Sequence, residues 1–199
     1  MSKTITGFSE NTSKNLMIDA GAFFINFDIE TDTIETAKEK LLGATSGGGE
    51  FSAVPKFREI KADGVKGKAK GLQALEAWEV TMKANLLEFK EETFKRALAS
   101  SNVSDITVGE KKYRKIEGKN YIEDTDYISN ITYMGNLSGS NEPVIIQVFN
   151  AINTEGLKIK PKDGDDIICE LEFEGTYDTN NLDNPPFAIY YPTQTIVGA

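Results

Sequence analysis

Residues 72–101 read LQALEAWEVTMKANLLEFKEETFKRALASS, and the fold turns on how they are read. Ala, Leu, Glu and Lys dominate, so intrinsic propensity favours a helix. Leu75, Trp78, Met82, Leu86 and Phe89 recur at helical spacing. Yet Trp78, Val80, Met82, Ala84 and Leu86 also alternate with Glu79, Thr81, Lys83 and Asn85, which is the period of a strand with one apolar face. The stretch divides into a strand over 74–87 and a helix over 90–99. Glu91 and Glu92 sit in the helix's first turn and Lys95 and Arg96 further on, which suits the helix dipole. Phe94, Ala97 and Leu98 form its short apolar face, and Ser100-Ser101-Asn102 ends it.

Before this stretch lies a glycine-rich segment, residues 41–71, LLGATSGGGEFSAVPKFREIKADGVKGKAKG. Glycines cluster at Gly47, Gly48 and Gly49 and again at Gly64, Gly67 and Gly71. Glycine permits positive φ and carries no side chain, so this segment reads as a long mobile loop over 43–72. Residues 56–70 hold six Lys/Arg against Glu59 and Asp63. A basic flexible arm on an acidic chain suggests a protein that grips another protein chain.

After it, residues 165–177, DDIICELEFEGTY, alternate strictly: Cys169, Leu171 and Phe173 on one side, Glu170, Glu172 and Glu174 on the other. That predicts a strand over 166–177. The Asp163-Gly164 turn before it predicts a hairpin whose partner strand is 156–160. Residues 143–152 (PVIIQVFNAI) read as a central strand, joined to a strand over 127–134 by a turn-rich linker. Strands over 20–28 and 187–197 stand near the two ends, the latter at an edge because of Pro192.

The 199 residues fit one domain with an N-terminal arm (1–16) and a C-terminal arm (179–199). The N-terminus is polar and resembles no secretion signal. No run approaches the ~20 apolar residues of a membrane span, so a soluble product without membrane contact is expected. Net charge is −9, distributed as −4 over 1–50, +5 over 51–116 and −10 over 117–199. An acidic chain lacks general affinity for nucleic acid. The basic middle of one copy can meet the acidic C-terminal half of another, or both can simply be solvated.

Catalysis is not expected. The chain has no histidine, which removes Ser-His and Cys-His nucleophile systems and His-ligated metals. Its single cysteine, Cys169, falls on an apolar strand face and reads as a structural thiol. The carboxylate clusters Asp163/Asp165/Asp166 and Glu123/Asp124/Asp126 sit in turn contexts that favour Asp anyway. The 64–71 glycines lack phosphate-loop spacing. Trp78, Tyr127, Tyr133, Tyr190 and Tyr191 read as core residues before they read as a stacking platform. No cofactor and no metal is expected.

The order of several short motifs resembles the major tail tube protein of long-tailed phages of Gram-positive bacteria. They are Asp19-Ala20-Gly21-Ala22-Phe23, Leu42-Gly43-Ala44-Thr45-Ser46-Gly47-Gly48, Ile60-Lys61-Ala62-Asp63-Gly64 with Lys66-Gly67, and Asn85-Leu86-Leu87-Glu88. Ile128-Ser129-Asn130-Ile131 and the strand from Ile167 to Phe173 complete the order. The resemblance implies a mainly β, sandwich- or barrel-like subunit with one flanking helix and a long Gly-rich loop. It implies hexameric rings stacked into a virion tail tube, assembled in the host bacterial cytoplasm. Partners would be other copies, a tape-measure protein, and tail terminator and baseplate proteins, with DNA passing through unbound. The chain is too short for an added immunoglobulin-like domain.

On this resemblance Gly47, Gly48, Gly49, Lys66, Lys68 and Lys70 make the inter-ring contact. A loop that orders only on stacking would delay polymerisation. The lumen is lined by Glu79, Thr81, Lys83 and Asn85, with the Glu170/Glu172/Glu174 row as the competing face. The alternatives are a tube of a contractile or secretion-type injection system, and a monomeric carbohydrate-binding or adhesive β-sandwich. A carboxylate-dependent enzyme is a further alternative.

Overall fold

The computed structural model describes residues 6–33 and 35–193. Among the described residues it is mainly β, with nine strands and one α-helix. In chain order these are β1 (Met17–Ile25), β2 (Thr45–Glu59), β3 (Gln73–Leu86), α1 (Glu91–Ala97), β4 (Ser101–Val108) and β5 (Lys111–Gly118). Then follow β6 (Ile128–Leu137), β7 (Val144–Asn153), β8 (Cys169–Gly175) and β9 (Phe187–Tyr190). The main sheet runs β1-β6-β7-β8-β3-β2, antiparallel throughout and curled into a half-barrel. β9 lies end to end with β8 along β7: β8 pairs with Ala151–Asn153 and β9 with Ile145–Val148. β4 and β5 form a separate two-stranded ribbon.

The stretch that admitted two readings resolves as divided. β3 buries Val80, Met82, Ala84 and Leu86 completely, because β2 and β8 pair with it on both sides and override its helix propensity. Cys169, Leu171 and Phe173 of β8 join these residues in the core, with Phe23, Ile131 and Val148 opposite. α1 follows at once. Its Lys90 N–H donates to Thr93 Oγ1 at 3.3 Å, and Thr93 and Ala97 are buried. It is shorter than expected because Ala99 turns left-handed at φ 58°.

Three expectations are corrected. The 43–72 segment is not a loop. Residues 45–59 are β2, paired along their length with β3, and only 60–72 form a turn. The glycines mislead because they serve a bulge. Ser46, Gly47 and Gly48 stand opposite the single residue Asn85, with Gly47 and Gly48 at φ 76° and 70°. The Asp-Gly turn exists, with the Asp165 N–H bonded to the Lys162 carbonyl, but it joins no hairpin. Residues 156–160 form no strand, and β8 pairs with β7 and β3 instead. The last strand ends at Tyr190, and 194–197 lie outside the described residues. The β4–β5 ribbon is a further element, absent from the sequence reading. Its signal is Gly109-Glu110 between two alternating runs, with Gly109 at φ 64°.

Gly49 of β2 lies hard against the β3 backbone and the Phe23 ring of β1. A Cβ there would lie 2.1 Å from the Lys83 carbonyl oxygen and 2.5 Å from the Phe23 ring. Gly49→Ala is therefore expected to cost about 3 kcal/mol, at the upper end for overpacking. Gly48→Ala meets open space and carries only the left-handed backbone penalty, about 1–2 kcal/mol. Urea midpoints of the two variants should rank in that order.

Lys119 anchors the connection between β5 and β6. Its side chain is 5% exposed and bridges Glu123 (2.5 Å) and Asp126 (2.8 Å), the latter 7% exposed. Burial alone would raise the Asp126 pKa, but the Lys119 ammonium and the Glu123 N–H outweigh it and hold it below the usual carboxylate value. A depressed carboxylate contributes stability above its unfolded pKa, ~3.9, and loses it as pH falls through the folded value. Asp126→Asn should thus flatten the fall in Tm below about pH 4. An unchanged acid limb would show that the cluster carries no linkage.

Candidate functional site

A polar surface follows from the parity of β3. Even-numbered residues 80–86 point into the core, so Glu79, Thr81, Lys83 and Asn85 point out. In β8 the same logic sends Glu170, Glu172 and Glu174 out. The register pairs Thr81 with Glu174, Lys83 with Glu172 and Asn85 with Glu170. Directly opposed residues share a face, so the two rows read as competitors from the sequence form one surface. β2 extends it with Glu50 opposite Lys83 and Ser52 opposite Thr81.

Lys83 occupies the centre of this face. Its ammonium lies 3.2 Å from Glu172, and that contact raises its pKa. Lys56 pairs with Glu79 at 2.8 Å. Glu50, Glu79, Glu170, Glu172 and Glu174 thus outnumber Lys56 and Lys83, and the face keeps an acidic surplus.

The distal half of the β2–β3 hairpin is a second candidate surface. β8 pairs with β3 only from Thr81 onward, so the hairpin's distal half has no strand beyond β3 and projects as an arm. The arm exposes Phe57 (58%) and Leu75 (51%), which are directly paired, beside exposed Val54 and Ile60. Arg58–Glu76 (2.9 Å) and Lys68–Glu59 (3.2 Å) stiffen it. Lys66 and Lys70 are exposed in the 60–72 turn. The structure therefore separates the six residues assigned to inter-ring contact: the lysines lie at the tip, while Gly47 and Gly48 lie in the bulge at the hairpin's opposite end and Gly49 is paired with Ala84 next to it.

The remaining candidates have local partners. Trp78 packs edge-on against Phe187 at 5.2 Å, and its backbone N–H donates to the Tyr177 hydroxyl. Tyr133 packs at a tilt against Phe23, with ring centroids 5.2 Å apart. Tyr190 and Tyr191 are both exposed, against the expectation that they belong to the core. Asp165 pairs with Lys162, while Glu123 and Asp126 serve Lys119. Cys169 is fully buried, and burial pushes its thiol pKa up. Among the described residues no cluster of His, Cys, Asp and Glu is arranged to hold a metal, and no helix is long and apolar enough to cross a membrane.

No family model and no curated protein matches the chain. Among solved structures it is similar to a chain of the virion of a native gene transfer agent (GTA) particle. The identity is 10% and the TM-score 0.39, over 85% of this chain and 96% of that chain.

Cys169 should resist alkylation in the native protein and react quickly after unfolding, since only an accessible thiolate attacks. Cys169→Ser should lower the urea midpoint by burying a hydroxyl in the apolar core opposite Leu86. Rapid labelling of the folded chain would contradict the core placement.

Proposed function

We propose that this chain is a non-catalytic structural subunit of a tail tube, closing into hexameric rings that stack into a conduit for DNA. The observation that carries the reading is the projecting β2–β3 arm. A hairpin that holds Val54, Phe57, Ile60 and Leu75 in solvent leaves apolar surface that contact with another chain would cover. The motif order of the sequence supplies the rest of the assignment. In this reading the partners are other copies, a tape-measure protein, and terminator and baseplate proteins. The protein belongs to the virion.

The acidic face over β2, β3 and β8 suits the wall of such a conduit. DNA must slide past each ring without stopping. A lysine-rich wall would neutralise phosphates, release counterions and hold the polymer. A wall with surplus carboxylates keeps it away. Lys56 and Lys83 lie within that face, each matched to a glutamate.

Concentrated protein should form rings or tubes under negative-stain microscopy. Replacing residues 60–71 with a two-residue turn should leave a folded chain that makes no long tubes. This cut spares β2, which the core needs, and removes the tip lysines. A trimmed protein that polymerises at the wild-type rate would refute the assembly role of the arm. A wild-type chain that stays monomeric at high concentration would refute the tube reading.

A further inference from the structure

The chain holds two Asp-Gly steps, Asp63-Gly64 and Asp163-Gly164. Each occupies the two central positions of a turn. The Val65 N–H donates to the Ala62 carbonyl at 3.2 Å, and the Asp165 N–H donates to the Lys162 carbonyl at 3.4 Å. Gly64 and Gly164 take φ 83° and 75°, the positive value that the third position of a type II turn requires and that glycine adopts without strain. All four residues are exposed, and a Cβ on either glycine would meet nothing within 4 Å, so no neighbouring group crowds either step. The two turns differ in their anchoring. The first closes a continuous ladder, with Glu59 paired to Gln73 and the Ile60 N–H bonded to the Leu72 carbonyl at 2.9 Å. The second ends an excursion between β7 and β8. Within residues 157–168 no strand pairs, and the one described backbone hydrogen bond is that from Asp165 to Lys162. The Lys162–Asp165 ion pair beside it stands in solvent, where such pairs hold weakly.

We propose that Asp163-Gly164 is a modification site, at which the chain isomerises to isoaspartate without an enzyme. The Gly164 backbone nitrogen attacks Cγ of the protonated Asp163 carboxyl. A C–N bond forms, the Cγ–OH bond breaks, and water leaves with the amide hydrogen. The product is a five-membered succinimide. Water then adds to one of its two carbonyls. Opening at Cγ restores aspartate. Opening at the Asp163 backbone carbonyl leaves the chain running through Cβ and Cγ, with the α-carboxylate pendant. The water lost in the first step returns in the second, so mass is unchanged and no oxidant or second substrate is needed.

Ring closure requires the aspartate side chain to swing over the following peptide, so the backbone has to leave the folded turn. Glycine lowers the steric cost, because no Cβ stands beside the attacking nitrogen. Segments that open locally reach such geometries more often than segments tied into a ladder. Asp163 leaves by breaking one long hydrogen bond and one exposed ion pair. Asp63 has to distort a turn whose ends are tied at Ile60 and Leu72. β8 pairs with β3 only from Cys169 onward, so an extra backbone carbon at residue 163 disturbs no ladder and the core is kept. The site lies outside the surfaces assigned to assembly and stands whether or not the tube reading does.

The test holds dilute full-length protein in warm neutral buffer and counts isoaspartate over time by methyl transfer from labelled S-adenosylmethionine with an isoaspartyl methyltransferase. Electron-transfer fragmentation of proteolytic peptides assigns the signal to Asp63 or Asp163. In native buffer Asp163 should convert at least fivefold faster than Asp63. In urea, where both turns are lost, the two rates should agree within twofold, which separates the contribution of the fold from that of the dipeptide. Asp163→Glu should abolish the signal at that position, since the larger ring closes far more slowly, and should leave the urea midpoint at the wild-type value. Equal native rates, or faster conversion at Asp63, would overturn the proposal. So would an Asp163 that converts in urea but not in the folded chain.

Discussion

Antiparallel pairing of β3 between β2 and β8 fixes the direction of every functional surface. One parity of β3 is sealed in the core by Phe23, Leu171 and Phe173, so the other parity has to face out. A slip of one residue would exchange Val80, Met82, Ala84 and Leu86 for Glu79, Thr81, Lys83 and Asn85, burying two charged groups. The register is thus over-determined by desolvation cost. Because opposed residues share a face, the same register brings the Glu170/Glu172/Glu174 row beside Lys83.

The sheet's free edges carry devices against unwanted pairing. β2 holds Pro55 in mid-strand, which lacks an N–H and is tolerated only at an edge, and it exposes Lys56 and Arg58 beside it. β1 is interrupted by its bulge and capped by the Phe24–Leu41 bridge. These features work against open-ended strand addition along β2 and β1. A subunit built this way associates by side-chain docking more readily than by ladder extension there, which suits an assembly that must have one geometry.

Much of the fold was legible because alternation is visible wherever one face is buried. β3 and β8 follow directly from it, and β7 from its β-branched density. The main failures have local causes. Gly47, Gly48 and Gly49 looked like a loop because glycine is equally suited to a bulge, and only the ladder with β3 distinguishes the two. The Asp163-Gly164 turn proposed a hairpin that non-local pairing with β7 and β3 displaced. The polar rows of β3 and β8 were both legible, yet their adjacency was not, since register between strands more than 80 residues apart leaves no mark in either strand alone.

Order in the arm changes the physics of assembly. A disordered loop would lose backbone entropy on docking, roughly 1–2 kcal/mol per residue fixed. In this chain 45–59 and 73–86 are already paired, so only the 60–72 turn and the tip side chains remain to be ordered. Preorganisation lowers the barrier that would otherwise hold subunits apart. Restraint then has to come from the weakness of each contact. The tip offers one small aliphatic residue and exposed lysines, and exposed ion pairs contribute only about 0.2–1 kcal/mol each. A single such contact does not hold two subunits together, whereas a subunit held through several neighbours at once gains their sum. The arm's rigidity and the weakness of each contact therefore act in opposite directions. Their combination favours growth on an existing ring over spontaneous pairing in solution.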